Sequence, residues 1–217
     1  WMIGKSSVAI TDALEADKVA GGGVFVHFDN ISGKKAEVYV DTEVHNSGKR
    51  TRTVAVETVL VDAGDVPVKR VSQQVKLQAG ESKTVRQRFA VRNPKLWSPD
   101  SPYFYRIQSR VKAGHEVLDG GVTRVGIRKA EFKGKDGFWL NGKPFGQLVG
   151  ANRHQDFAYV GNALPNSQQW RDAKRLRDAG CTIIRVAHYP QDPAFMDACD
   201  EMGLFVIVAT PGWQYWN

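Results

Sequence analysis

Two arginines and two histidines in the last third of the sequence have the chemistry to hold a polar ligand. Arg153 and His154 are adjacent, and Arg185 stands three residues before His188. A neutral imidazole offers one donor and one acceptor, which suits a pair of hydroxyls. A guanidinium is permanently charged and forks onto carboxylates or hydroxyls. Asp156, just after His154, either faces a ligand or forms an ion pair with Arg153 that holds the loop. Aromatic rings follow in the same stretches: Phe157 and Tyr159, then Trp213, Tyr215 and Trp216. Such rings stack on the apolar face of a sugar or pack beneath their own loop; Trp213 is taken as a site residue and the other four as packing. A lone histidine is commonly a satisfied surface or core residue, so the elements that carry these side chains decide what they mean.

Those elements follow from the hydrophobic pattern. Residues 1–35 show no regular period, and Gly21-Gly22-Gly23 interrupts them; they read as the tail of a preceding domain plus a linker, with Val24-Phe25-Val26 as a short strand at most. From Ala36 the period is two. Val38, Val40, Thr42 and Val44 share one face, and Glu37, Tyr39, Asp41 and Glu43 the other. Turn residues at Asn46-Ser47-Gly48 and Gln78-Ala79-Gly80 separate strands expected at 51–61, 68–77, 84–91, 103–111 and 117–125. Short, evenly spaced strands over roughly 90 residues predict an antiparallel sandwich of immunoglobulin size at 36–127.

After Arg128 the pattern changes. Ala130–Lys133 and Gly137–Leu140 predict a small hairpin, Asn141-Gly142 a tight turn and Phe145–Gly150 a short strand. A helix is expected over 168–179, capped by Asn166 or Ser167 and stopped by Gly180. The run Thr182–Ala187 is mostly β-branched, as in a strand buried on both faces. Pro193 opens a second helix that Gly203 ends, and Leu204–Ala209 is another buried strand. Strand, helix, strand, helix, strand is the grammar of a parallel sheet, and 128–217 is too short for a (β/α)8 barrel of about 250 residues. The fold class is therefore multidomain: a sandwich, then the truncated N-terminal part of a barrel. His154 and His188 fall just past the C-terminal ends of barrel strands, where barrel active sites are built.

Four segments together resemble glycoside hydrolase family 2, the family of β-galactosidases, β-glucuronidases and β-mannosidases. They are Leu96-Trp97-Ser98-Pro99-Asp100-Ser101-Pro102-Tyr103, similar to the close of the family's immunoglobulin-like domain; Val125–Lys129 with Leu140-Asn141-Gly142-Lys143-Pro144; Gly150-Ala151-Asn152-Arg153-His154; and Ile184-Arg185-Val186-Ala187-His188-Tyr189-Pro190 followed by Cys199–Leu204. The resemblance implies a preceding sugar-binding jelly roll, further barrel units, and a retaining mechanism whose two carboxylates, about 5 Å apart, lie beyond residue 217. The fragment alone is then inactive. His154 and His188 are implied to hydrogen-bond the reacting sugar's hydroxyls, with Arg185, Arg153, Asp156 and Trp213 as further substrate-binding candidates. The best-known β-galactosidases and β-glucuronidases of the family carry an Asp-Glu pair after the third strand, where the Glu of some ligates magnesium. Here the chain reads Val208-Ala209-Thr210-Pro211-Gly212-Trp213, so no metal and no other cofactor is expected. A β-galactoside is favoured as the commonest activity the resemblance implies. The rival reading is a non-catalytic carbohydrate- or protein-binding sandwich, which has no use for half a barrel.

Composition narrows the rest. The formal charge is +7, but Lys and Arg are scattered, which fits a solvated surface and argues against nucleic acid. No GxGxxG or GxxxxGK[ST] opens a helix, which argues against a nucleotide fold. Cys181 and Cys199 have no zinc or CxxC spacing and read as buried apolar residues. No apolar run approaches the roughly 18 residues of a membrane span. Trp1-Met2-Ile3-Gly4 has no signal-peptide character in a chain that reads as cut at both ends. The compartment is open, a periplasmic or secreted one being favoured. The bare edge of half a barrel would make the fragment a homo-oligomer or the ordered remnant of a longer chain.

Overall fold

In a computed structural model, which describes residues 4–16, 18 and 21–209, the chain forms two units. One comprises Trp1–Leu96 and Tyr103–Arg128, the other Trp97–Pro102 and Lys129–Asn217.

The first unit is a sandwich of eight strands: β1 (Val8–Ile10), β2 (Val24–Asp29), β3 (Lys35–Asn46), β4 (Arg52–Val61), β5 (Pro67–Leu77), β6 (Ser82–Arg92), β7 (Tyr105–Ala113) and β8 (Glu116–Val125). One sheet runs β5-β4-β7-β8. In the other, β3 pairs with β6 along one edge and with β1 and β2 along the other. The sequence pattern sets residues 1–35 apart as a tail and linker, and here the structure differs. The two early strands divide one long edge of β3 between them: β2 pairs with Glu37–Thr42 and β1 with Val44–Asn46. Each is too short to show a period alone. Between them the chain turns at Gly22 and Gly23, whose φ values of 75° and 58° suit glycine.

Inward residues of both sheets form two apolar clusters. Val38, Val40, Leu60, Phe89, Tyr105 and Ile107 belong to one, and Val8, Val44, Val56, Leu77, Val85 and Val111 to the other. Between them lies a belt of equally inward polar residues, Thr42, Thr58, Gln87 and Ser109, all buried. Thr58 Oγ1 donates to Gln87 Oε1 (2.5 Å), and Gln87 Nε2 donates to the carbonyl of Val56 (3.0 Å). These bonds satisfy Thr58 and Gln87, whereas Thr42 Oγ1 and Ser109 Oγ are buried without a hydrogen-bond partner among the described residues. The outer face of β3 is ionic. Asp41 pairs with its cross-strand partner Arg86, Glu43 with Lys18, and Glu37 with Lys35 and Arg88. Tyr39 stacks on His27 with ring centroids 4.7 Å apart.

The second unit begins with an antiparallel sheet ordered β11-β10-β9, built from β9 (Ala130–Phe132), β10 (Phe138–Leu140) and β11 (Lys143–Gly146). Asn141 and Gly142, at φ 52° and 80°, make the two-residue turn expected there. A parallel sheet follows, ordered β12-β13-β14: β12 (Gly150–Arg153), β13 (Ile183–Val186) and β14 (Phe205–Val208), joined by α1 (Asn166–Asp178) and α2 (Pro193–Met202). The strand expected at Phe145–Gly150 is absent. Its first residues complete β11, Gly146 at φ 95° turns the chain away, and the parallel strand starts at Gly150.

Helix α1 starts two residues earlier than expected, and neither Asn166 nor Ser167 caps it. Pro165 does, its carbonyl accepting from the amide nitrogens of Gln168 and Gln169. Its end is as expected, with Gly180 at φ 88° and Cys181 N bonded to Leu176 O. Asp192 caps α2 by accepting from Ala194 N (2.8 Å). Ala173, Ile184, Val186, Phe195, Ala198, Cys199 and Leu204 form the core between sheet and helices. Burial there pushes the Cys199 thiol up to about 12, so it serves as packing and not as a nucleophile.

The segment Trp97–Pro102, read from sequence as closing the sandwich, packs within this second unit. Trp97, 1% exposed, donates from Nε1 to Asp200 O (3.0 Å) and accepts at its own carbonyl from Asn141 Nδ2 (3.0 Å). Its ring meets Phe205, which also touches Phe138 and Phe145, with centroids 5.1–5.6 Å apart. Pro99 lies so close to Gly203 that a Cβ there would stand 2.2 Å from its carbonyl oxygen.

Gly180 and Gly203 both end helices at positive φ, but only Gly203 is crowded. Gly180→Ala should cost on the order of 1 kcal/mol, the left-handed penalty alone. Gly203→Ala should cost on the order of 3 kcal/mol or more, because overpacking adds to that penalty. Urea denaturation of the full-length protein compares them, and equal losses would contradict the close approach. Hydrogen bonds from Lys35, Asn30 and Arg88 hold the Glu37 carboxyl at about 2, against an ordinary 4.5. A carboxyl depressed by folding stabilises above its unfolded pKa and loses that contribution as pH falls. Stability should therefore decline from about pH 4.5 towards pH 2, and Glu37→Gln should make that slope shallower in urea midpoints measured across the window.

Candidate functional site

Because strand side chains alternate, the parallel sheet has two faces. Ala151, Arg153, Ile184, Val186 and Val206 share the face towards the helices, where Ile184 and Val186 join the core. On the opposite face Asn152, Arg185 and Ile207 are register neighbours across the three strands. Asn152 and Ile207 are exposed and Arg185 half-buried, so this face presents an amide and a guanidinium beside an apolar side chain.

Arg185 reaches two neighbours on this face. Its Nη1 is 3.5 Å from Asn152 Oδ1, and its Nη2 is 3.3 Å from His188 Nδ1. Arginine only donates, so Nδ1 of His188 is the acceptor and the neutral ring carries its proton on Nε2. His154 and His188, both exposed, approach edge-to-face with ring centroids 5.5 Å apart, and Tyr189 lies 5.9 Å from His154. The peptide bond between Ala187 and His188 is cis. Strand ends β12 and β13 thus bring together His154, His188 and Arg185, three of the residues singled out from sequence. The arrangement can hold hydroxyls or a carboxylate through one fixed imidazole donor, a second imidazole and a guanidinium.

Arg153 goes elsewhere. It lies on the helix face, 6% exposed, with Nη1 donating to Gln191 Oε1 (2.7 Å) and Nη2 to Gln169 Oε1 (2.8 Å) and Asp172 Oδ2 (2.7 Å). Its guanidinium carbon sits 3.9 Å from the ring centroid of Phe195. Of the two roles weighed for it, the structure shows an ion pair, but with Asp172 of α1 and not with Asp156. Asp156 is exposed on the loop after β12, as are Phe157 and Tyr159. Trp213, Tyr215 and Trp216 lie outside the described residues. Among the described residues no three His, Cys, Asp or Glu side chains converge as a metal set would.

Sequence reasoning missed Asn152, Gln191 and Tyr189. Asn152 was legible: two-residue alternation puts it on the opposite face from Arg153, in register with Arg185. Gln191 had no local signal, since its partners come from β12.

Comparison with known proteins agrees with this architecture. The description "Glycosyl hydrolases family 2" matches residues 23–128, and the TIM barrel domain of the same family matches residues 131–215. A β-galactosidase of Thermoanaerobacter pseudethanolicus is 35% identical over 193 residues, which are 88% of this chain and 25% of that protein. A β-glucuronidase of Formosa agariphila is 29% identical over 194 residues, 88% of this chain and 20% of its own length. The crystal structure of a family 2 member from Bacteroides cellulosilyticus superimposes with a TM-score of 0.88 at 31% identity, covering 98% of this chain and 26% of that one. The chain thus spans about a quarter of the length of such relatives. With a sandwich and the opening strands of a parallel barrel in the expected order, and both parts matched by the same family, the chain belongs to glycosyl hydrolase family 2.

Proposed function

We propose that the full-length protein is a retaining β-glycosidase that removes terminal β-linked sugars, with β-galactosides as its preferred substrates. The observation that carries this reading is the convergence of His154, His188 and Arg185 at the C-terminal ends of adjacent parallel strands in a family 2 chain. Barrel enzymes build their sites at that end of the sheet. His188, its proton on Nε2 because Arg185 occupies Nδ1, donates to a sugar oxygen. His154 supplies a second contact, and Arg185 fixes the first imidazole while adding positive charge to the pocket wall. The nucleophile and the acid/base, two carboxylates about 5 Å apart in a retaining enzyme, come from the remainder of the protein. The preference for galactosides draws on relatives named as β-galactosidases, and relatives named as β-glucuronidases make glucuronides the rival substrate.

A panel of chromogenic β-glycosides, galactoside and glucuronide included, assayed with the full-length protein tests this reading. Cleavage of the galactoside is expected, with none by the 217-residue chain alone. His154→Ala and His188→Ala should each lower kcat/KM by roughly ten- to a hundredfold, the cost of a hydrogen bond lost to the bound sugar. Both side chains are exposed, so thermal stability should hold. A full-length protein that cleaves no β-glycoside, or histidine variants with unchanged kinetics, would overturn the assignment.

A further inference from the structure

The geometry points to Gln191 as a positioning residue that, through Arg153, sets the spacing of the loops carrying His154 and His188; this rests on the sugar-binding role proposed above for those histidines. Gln191 is 8% exposed and follows His188 by three residues. Its amide is used at both ends by one partner. Oε1 accepts from Arg153 Nη1, and Nε2 donates to the Arg153 carbonyl. The orientation is unambiguous, because a guanidinium only donates and a carbonyl only accepts.

That carbonyl belongs to the residue just before His154, and it also accepts from Ala187 N (3.0 Å). One oxygen beside His154 therefore grips the chain on either side of His188, at Ala187 and at Gln191. The lacing runs the other way as well. Gln155 Oε1 accepts from Asp192 N (2.8 Å), and Gln155 N lies 3.4 Å from the Tyr189 hydroxyl. The Arg153 side chain, anchored by Gln169 and Asp172 of α1 and stacked on Phe195 of α2, is the fixed post to which the second loop is tied. Two imidazoles on separate loops keep one separation only if the loops are bound to each other. Misplacing such groups by about 1 Å can cost a hundredfold in rate.

A buried polar group of this kind could serve stability alone, so the test separates the two roles. In the full-length protein, Gln191→Glu keeps an acceptor for Arg153 Nη1 but sets a second oxygen against the Arg153 carbonyl. It should lower kcat/KM on the best β-glycoside about tenfold, mostly through KM. In a His188→Ala background the same change should cost less than about twofold, since the imidazole that Gln191 holds at its distance from His154 is gone. Gln155→Leu, which leaves the buried Arg153 cluster whole, should show a smaller loss with the same dependence on His188, and it replaces Gln191→Glu should that variant fail to fold. Wild-type kinetics in both variants, or losses undiminished by His188→Ala and by His154→Ala, would overturn the positioning role while leaving the histidines in place. Unchanged kinetics in His154→Ala and His188→Ala themselves would instead sink the sugar-binding reading, and the positioning role with it.

Discussion

A β-strand turns successive side chains to opposite faces, and most of this chain follows from how each face is used. In the sandwich the inward face is largely apolar around a buried polar belt, and the outward face of β3 is ionic. In the parallel sheet one face is covered by helices and the other is largely exposed. The helix side is packed with Ile184, Val186 and the Arg153 guanidinium, which is paired through Nη1 and Nη2, and the other side carries Asn152, Arg185 and Ile207. Adjacent residues of β12 thus have opposite fates. Asn152 joins the site face, and Arg153 becomes part of the frame.

This constraint made much of the fold legible. The sandwich strands from Lys35 onward, the hairpin at Asn141-Gly142 and the helix stops at Gly180 and Gly203 each rest on local chemistry, and they stand where the pattern puts them. What escaped was set by distant partners. β1 and the part of β2 beyond Val26 owe their existence to an open edge of β3, and Trp97 is buried by residues about a hundred positions later. The capping of α1 was missed for another reason: a proline carbonyl did work expected of a side-chain oxygen.

The candidate site was legible to a similar degree. Strand-end placement picked out His154, His188 and Arg185, which meet. Its place beside His154 in the family-like segment suggested Arg153, and the alternation that governs β12 turns it away. The residues that tie the loops together, Gln191 and Gln155, could not be read, because an amide in a loop has no period and no motif. Their meaning appears only when the partner strand is beside them.

The strap formed by Trp97–Pro102 bears on how the chain is made. It leaves the ribosome before Tyr103–Arg128 of the first unit and about a hundred residues ahead of Asp200, Gly203 and Phe205, against which it packs. At about 5–20 residues per second that is a wait on the order of 5–20 s. Throughout that interval the Trp97 ring has none of these contacts, while the strands on both sides of it are already able to pair. A cut in the gene between codons 128 and 129, tidy on paper, would strip the second unit of Trp97 and leave Phe205 and the Asp200 carbonyl without it.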